Sequence, residues 1–124
     1  MDGVRKLLPC LSASLHKGSC GKIGIVGGSV QYSGAPFFSG LAMLRVGVDI
    51  AHVFAPPEVA IVIKTYSPDL IVHPSQEPGY VEEHLARLHA LVIGPGLGRS
   101  PSAAHLVPRV LAAAAKHRLP TVVD

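Results

Sequence analysis

The stretch Lys22-Ile23-Gly24-Ile25-Val26-Gly27-Gly28-Ser29 decides the fold, because a short apolar run passes directly into a glycine-rich turn. A run of this length that ends in glycine is typical of a buried strand. The same arrangement returns where Ala90-Leu91-Val92-Ile93 leads into Gly94-Pro95-Gly96-Leu97-Gly98. Ligands of open α/β sheets bind beyond the carboxyl ends of the strands, and glycine lets the backbone approach a ligand closely. The two loops together therefore predict a binding edge of one sheet.

Strand-like and helix-like segments alternate around these loops. Further strands are predicted at 50–55, 70–72 and 121–123, where short apolar runs meet glycine, proline or a polar residue. Near-continuous apolar strands that alternate with helices indicate an α/β fold with a mostly parallel sheet and helices on both faces. Residues up to Lys17 are predicted to form a helical lead-in.

Four helices are expected between the strands. The first starts at Ala35, places Phe37, Leu41, Leu44 and Val48 on one face and is closed by Gly47. The segment 58–64 favours a short helix, although its β-branched residues favour a strand. The helix over 80–88 turns Val81, Leu85 and Leu88 inward. Ser100 and Pro101 begin the last helix, which runs to about 117, and Pro108 predicts either a kink or a start one turn later.

Composition narrows the class of protein. The chain has 124 residues, of which 48% are hydrophobic and 15% charged, which excludes a disordered chain and fits one domain or part of one. The net charge of +3 is scattered and aromatic residues are few, so we expect no nucleic-acid partner. No apolar run approaches the roughly 20 residues of a membrane span, so no membrane partner is expected either.

The two cysteines, Cys10 and Cys20, have neither a CxxC nor a zinc-finger spacing. Free thiols suggest a reducing compartment, so we expect a cytoplasmic protein, or a mitochondrial form where a leader lies upstream. The seven histidines form no metal-binding pattern, and no metal site is expected. His52 and His73 lie in or at the end of strands, where they are either structural or within reach of the sheet edge.

The spacing of the glycines does not identify a particular ligand. Neither glycine loop is followed by the Gly-Lys-Ser/Thr of a P-loop, and neither is a clean GxGxxG, so the pattern indicates only a nucleotide-like ligand. Asp124 is the acidic residue that the pattern places at a strand end, whereas Asp49 is expected to cap or precede its strand. No pair of carboxylates is spaced for acid–base catalysis, so no catalytic residue is assigned within this chain.

The loops and their neighbours resemble a known family more specifically. The chain is similar to the ATP-dependent NAD(P)H-hydrate dehydratases, of ribokinase-like fold, from His16 nearly to its end. The resemblance rests on the following segments in order: His16-Lys17-Gly18, Gly21 to Ser29, Tyr32-Ser33-Gly34-Ala35-Pro36-Phe37-Phe38, Arg45 to Asp49, His52-Val53-Phe54, Ile63 to Pro74 and Leu91 to Arg99. His52-Val53-Phe54 and Tyr66-Ser67-Pro68 resemble the eukaryotic branch.

The resemblance implies a metabolite-repair hydro-lyase. It would use ATP with Mg²⁺ to dehydrate the S-epimer of hydrated NADH or NADPH back to the working cofactor. The substrate contacts implied within this chain are Gly98 and Gly96, which would bind through backbone N–H groups, and Ala35. The resemblance also implies a link to an NAD(P)H-hydrate epimerase and allows a homo-oligomer.

Departures from the family pattern are mild at Ser19, Ser33 and Val48, where glutamine, threonine and alanine are more usual. The family's segments for the nucleotide and the catalytic aspartate would follow Asp124. We therefore expect residues 1–124 to be the N-terminal part of a single domain, about half of it, and to be inactive alone, with the ATP site beyond Asp124. A ribokinase-like kinase of small, vitamin-type molecules and a non-catalytic truncated remnant remain the alternatives.

Overall fold

A computed structural model describes residue 10 and residues 12–124, and these form one five-stranded sheet. Every strand pairs in parallel with its neighbour, in the spatial order β3-β2-β1-β4-β5. The strands are, in chain order, Lys22–Val26 (β1), Ile50–Phe54 (β2), Ile71–His73 (β3), Ala90–Ile93 (β4) and Thr121–Val123 (β5). The predicted α/β fold with a parallel sheet is confirmed.

One helix links each strand to the next. The helices are, in chain order, Gly34–Val46 (α1), Pro57–Tyr66 (α2), Pro78–Leu85 (α3) and Pro101–Lys116 (α4). The ambiguous segment 58–64 is therefore helical, and its helix begins at a proline, whose fixed φ suits a first turn. The last helix begins at Pro101, as predicted, where the Ser100 hydroxyl accepts a hydrogen bond from the Ala103 N–H at 3.1 Å. It continues through Pro108, so the later start was wrong.

Two apolar cores cover the two faces of the sheet, because alternate residues of a strand point to opposite sides. On one face α1 and α2 pack over buried residues that include Ile25, Val53 and Ile63. On the other face α3 and α4 pack over a core that includes Val26, Phe54 and Leu91. The expectation of helices on both faces is thus confirmed.

The face of α1 differs from its prediction. Its buried residues are Pro36 and Gly40, whereas Phe37 and Leu44 are only half-buried and Val48 lies beyond the helix. A Cβ added at Gly40 would lie 2.8 Å from a Leu70 methyl carbon, so α1 reaches the sheet through its small residues. The hydrophobic pattern missed this because close helix packing selects for small side chains rather than for apolar ones.

The predicted lead-in and the predicted third helix differ in extent from the structure. The predicted helical lead-in lies largely outside the described residues, and residues 12–17 contain turns and no helix. The helix predicted over 80–88 starts at Pro78 and ends at Leu85, although Leu88 is buried, as expected, from the turn that follows.

Cys10 and Cys20 are free thiols. In residues 10 and 12–124, every helix is too short or too polar to cross a membrane.

The core under α2 gives a matched test of packing. Ile63 is fully buried, whereas Ile61 in the same helix is 66% exposed. We expect Ile63→Ala to lower the free energy of unfolding by about 2–5 kcal/mol, because the substitution removes buried methyl groups and leaves a cavity. Ile61→Ala should change it by at most about 0.5 kcal/mol. Urea denaturation of both variants measures the difference, and equal losses would contradict the described burial.

Candidate functional site

A crevice lies where the order of strand addition reverses. The connections from β1 to β2 and from β2 to β3 proceed to one side of the sheet, whereas β4 and β5 are added on the other side of β1. The helices that follow β1 and β4 therefore pack on opposite faces of the sheet beside this reversal, which is where open α/β sheets bind ligands. These are the two glycine loops that the sequence singled out.

The two glycine loops contact each other through their backbones. The Gly28 N–H donates a hydrogen bond to the Pro95 carbonyl oxygen at 2.8 Å, and the Gly94 N–H donates to the Val26 carbonyl oxygen at 3.0 Å. A Cβ at Gly27 would collide with the Pro95 carbonyl oxygen. Glycine is thus required at position 27 for steric reasons, and the contact fixes the distance between the loops.

Gln76, from the loop after β3, holds the first glycine loop from the other side. Its Nε2 donates a hydrogen bond to the Gly27 carbonyl oxygen at 2.7 Å, and it lies 3.3 Å from the carbonyl oxygens of Gly28 and Phe54. Sequence reasoning missed Gln76, because it lies in no motif and contacts residues 22 to 49 positions away. A polar residue in a loop that follows a parallel strand was the signal available.

The predicted contact residues Gly96, Gly98 and Ala35 are brought together. A Cβ at Gly96 would lie 3.2 Å from the Ala35 Cβ, so the second loop packs on the start of α1. Gly96 and Gly98 have φ of +64° and +76°, which disfavours other residues. Among the described residues, the N–H groups of all three have no acceptor. They are therefore free to donate to a ligand.

Gly96 and Gly98 differ in the space around them. A Cβ at Gly96 would meet Tyr32 at 2.9 Å, whereas a Cβ at Gly98 would meet only Ser29, at 3.7 Å. Gly98 is also exposed and Gly96 is half-buried. A ligand can thus approach Gly98 more closely than Gly96.

A cavity of about 390 Å³ opens between the loops. It is lined by residues from both sides of the crevice: Gly28, Ser29, Val30, Gln31, Pro56, Glu58, Gln76, Leu97, Ser100 and Ser102. The Ser29 Oγ is buried and has no hydrogen-bond partner among the described residues. A buried hydroxyl without a partner is unfavourable, so this atom lacks a hydrogen bond that the described residues do not provide. Ser29 and Glu58 were not assigned roles from the sequence.

The two acidic residues considered from the sequence lie apart. Asp124 follows β5, and its N–H donates a hydrogen bond to the Ile93 carbonyl oxygen at 3.0 Å, beside the second glycine loop. Asp49 precedes β2 and is used structurally. Its Oδ2 accepts hydrogen bonds from the N–H groups of Gly18 at 2.8 Å and Cys20 at 2.9 Å, which holds the turn before β1.

His52 and His73 do not line the crevice cavity. They are joined by a hydrogen bond of 2.9 Å between His52 Nδ1 and His73 Nε2, and His73 Nδ1 lies 3.0 Å from the Tyr80 hydroxyl. Burial, followed by the charges of His52, His84 and Lys64, lowers the pKa of His73 from 6.5 to about 4. Burial also lowers the pKa of His52. Both rings belong to a hydrogen-bonded cluster under α3.

Solved structures place this architecture in a known fold. A ribokinase-like superfamily protein of Enterococcus faecalis covers 86% of the chain with a TM-score of 0.77 at 23% identity, a likeness of fold alone. An ADP/ATP-dependent NAD(P)H-hydrate dehydratase of Bacillus subtilis, co-crystallised with ATP and Mg²⁺, covers 99% of it with a TM-score of 0.74 at 26% identity. The chain thus has an α/β fold of ribokinase-like architecture.

Sequence comparison identifies the family. A family model described as NAD(P)H-hydrate dehydratase matches residues 23–124. The chain is 49% identical to an ATP-dependent (S)-NAD(P)H-hydrate dehydratase of Rattus norvegicus over 98% of its length, and 46% identical to one of Caenorhabditis elegans over all of it. This chain belongs to the NAD(P)H-hydrate dehydratase family. It spans 36% and 40%, respectively, of the length of these two relatives.

The contact between the loops can be tested with two alanine substitutions. Gly27→Ala should lower the free energy of unfolding by about 1–3 kcal/mol, because the new Cβ collides with a rigid backbone oxygen. Gly34→Ala is the control, since its Cβ would lie 3.6 Å from the Phe38 ring in ordinary contact. Thermal or urea unfolding of both variants gives the comparison. A Gly27→Ala variant as stable as the control would show that the loops are not held together here.

The histidine cluster predicts a pH dependence of stability. The unfolded chain protonates its histidines near the ordinary value of 6.5, whereas folded His73 resists protonation until about pH 4. The unfolded state therefore gains protons first as the pH falls, and the free energy of unfolding should decrease from about pH 6.5 towards pH 4. Urea titrations at several pH values should show a shallower decrease for His73→Gln. Equal slopes in the two proteins would refute the lowered pKa.

Proposed function

We propose that the full-length protein is an ATP-dependent (S)-NAD(P)H-hydrate dehydratase, a hydro-lyase that restores NADH and NADPH from their hydrates. The observation that carries this proposal is the pair of N–H groups at Gly96 and Gly98, which have no acceptor among the described residues. They belong to the loop whose Leu97 lines a cavity together with Ser29, and the buried Ser29 hydroxyl also has no partner among these residues. Donors without partners beside a cleft are suited to a polar, oxygen-rich ligand such as a dinucleotide.

The family relationship supports the same reaction. The rat and nematode relatives are named ATP-dependent (S)-NAD(P)H-hydrate dehydratases. Because this chain spans 36–40% of their length, we propose that residues 1–124 form the N-terminal part of one ribokinase-like domain and supply its substrate-binding loops. The rest of that domain would supply the ATP site and the catalytic base.

The residues of this chain bind and orient the substrate in this proposal. The N–H groups of Gly98, Gly96 and Ala35 would donate hydrogen bonds to the hydrated nucleotide. The Ser29 hydroxyl would form its missing hydrogen bond with the same ligand. Gln76 and the contact between the glycine loops keep these donors in position. When bound, ATP supplies a phosphoryl group that converts the hydroxyl of the hydrate into a good leaving group.

The described residues do not provide a set of side chains that could bind Mg²⁺ directly. Residues 10 and 12–124 bring no three His, Cys, Asp or Glu side chains together in a way that would hold a metal ion. The Bacillus subtilis relative was co-crystallised with ATP and Mg²⁺, so the ion enters our proposal with the nucleotide. No step at the glycine loops depends on it.

The proposal extends to a functional partner, an oligomeric state and a cellular compartment. The relatives' names specify the S-epimer, so an NAD(P)H-hydrate epimerase would be the functional partner that supplies it from the other epimer. Exposed apolar side chains on α1 and α2, such as Phe38 and Ile61, at 66% exposure each, support a homo-oligomer. The free thiols of Cys10 and Cys20 support a reducing compartment such as the cytoplasm, with a mitochondrial form where a leader is present.

Gly98 gives the sharpest test of the site. Gly98→Val places a branched side chain on the open side of the second loop and strains a backbone with φ of +76°. If this position contacts substrate, KM for NADH hydrate should rise at least about tenfold, corresponding to one lost hydrogen bond of about 1.4 kcal/mol. Recovery of NADH absorbance with ATP and Mg²⁺ measures the kinetics of the full-length protein.

Gly47→Val is the matched control for backbone strain. Gly47 has φ of +109°, and a Cβ there would meet no atom within 4 Å, at the end of α1 that points away from the glycine loops. Both variants should lose stability, but only Gly98→Val should raise KM. If Gly98→Val loses activity only in proportion to its folded fraction, with KM unchanged, the loop is structural and the substrate assignment fails. Complete absence of hydrate-dependent turnover in the wild-type protein would overturn the proposed function itself.

A further inference from the structure

A second cavity, of about 330 Å³, lies under α3 and is distinct from the crevice between the glycine loops. Its walls are contributed by the turn before β1, by β1, β2 and β3, and by α3 with the turn that follows. The lining residues are Lys17, Lys22, Ile50, His52, Ile71, His73, His84, Arg87 and Leu88. We call this space the basic cavity.

The strand geometry explains why these residues meet. Lys22 is opposite Ile50 in the register of β1 and β2, and His52 is opposite Ile71 in that of β2 and β3. Residues two apart on a strand share a face, so Ile50 and His52 lie on the same side as Phe54, which is the side that α3 covers. The basic cavity thus opens near the amino ends of the strands, whereas the glycine loops follow their carboxyl ends.

The lining has many cationic or protonatable groups and no acid. Six of its nine residues are lysine, arginine or histidine, and none is aspartate or glutamate. In the described part of the chain, the only side-chain ion pair joins Arg109 to Glu82, outside this cavity. Lys17, Lys22 and Arg87 therefore line this cavity with no carboxylate partner among the described residues. An anion placed among them would interact favourably with all three charges.

Helix α3 accounts for only part of this arrangement. The carbonyl end of a helix favours nearby cations, which explains His84 in the last turn and Arg87 just beyond it. It does not explain Lys17 and Lys22, which come from separate elements. The turn after Lys17 is held by the two hydrogen bonds that Asp49 accepts, so the backbone position of this lysine is fixed by the fold.

The histidines of the lining are engaged with one another and with Tyr80 rather than gathered as a metal site. His52 and His73 hydrogen-bond each other at 2.9 Å, and His84 Nδ1 lies 2.7 Å from the Tyr80 carbonyl oxygen. Their ring nitrogens are thus already partly engaged, and the described residues gather no three metal-ligating side chains. The lysine and arginine side chains are therefore the groups of this lining that would bind an anion.

We propose that the basic cavity is a second ligand site, which binds a small phosphate monoester with an apolar substituent. The phosphate would lie among Lys17, Lys22 and Arg87, since guanidinium and ammonium groups bind phosphate through charge-assisted hydrogen bonds. The apolar part would pack on Ile50, Ile71 and Leu88, which are the apolar residues of the lining. The volume lies at the lower end of the roughly 300–1,000 Å³ typical of ligand pockets, which limits the ligand to a small molecule.

Phenyl phosphate is a suitable probe, with inorganic phosphate and benzoate as its two halves. Titration calorimetry on the full-length protein should show saturable binding of phenyl phosphate. Inorganic phosphate and benzoate should each bind more weakly than phenyl phosphate. Lys22→Gln and Arg87→Gln should each weaken phenyl phosphate binding about tenfold, the effect of one charge-assisted hydrogen bond. Lys116→Gln, an exposed cation at the end of α4, and Gly98→Val should leave it unchanged.

Chemical-shift mapping on the wild-type protein provides a test that needs no variant. Phenyl phosphate should shift the amide signals of Lys22, His52 and Arg87 and leave those of Gly96 and Gly98 in place. The proposal is overturned if phenyl phosphate does not bind, if it binds equally well to Lys22→Gln and Arg87→Gln, or if the shifts centre on the glycine loops. Benzoate binding as tight as that of phenyl phosphate would overturn the phosphate assignment. Each of these outcomes is independent of dehydratase activity.

Discussion

The close approach of two backbone segments, at Gly27 and Pro95, is the constraint on which the site depends. No side chain fits between them, and the hydrogen bond from the Gly28 N–H to the Pro95 carbonyl oxygen uses one donor to join the loops. The donors that remain, at Gly96 and Gly98, then lie beside Ala35 and Ser29, respectively. Binding groups that belong to the backbone lose little conformational freedom when a ligand arrives, which is favourable for affinity.

The two cavities use different chemistry because they lie at different places along the strands. Beyond the carboxyl ends, the chain turns sharply and presents N–H groups from glycine loops. Near the amino ends, the strands begin with Lys22, Ile50 and Ile71, and the ligand-binding capacity comes from side chains. Backbone donors favour oxygen-rich ligands without a requirement for charge, whereas convergent lysine and arginine favour an anion.

Local sequence patterns predicted the parts of the structure that depend on neighbouring residues. The strands 22–26, 90–93 and 121–123 and the glycine loops follow from apolar runs that end in turns, and the meeting of Gly96 with Ala35 agrees with the predicted edge. The pattern failed where contacts join distant residues. Gln76 reaches back 49 positions to Gly27, and His52 pairs with His73 only through the register of β2 and β3. Neither has a periodic signal.

The strand order also determines when the site can form during synthesis. β1 is made first but is central in the sheet, so its second neighbour is absent until β4, ending at Ile93, has emerged. The Gly28 hydrogen bond needs Pro95, so the two glycine loops cannot join until about three-quarters of these 124 residues have been translated. Because parallel pairing also requires long loops to close, a nascent chain would expose its apolar strands during this interval. The central position of β1 thus leaves one of its edges unpaired in the growing chain until most of these 124 residues have been made.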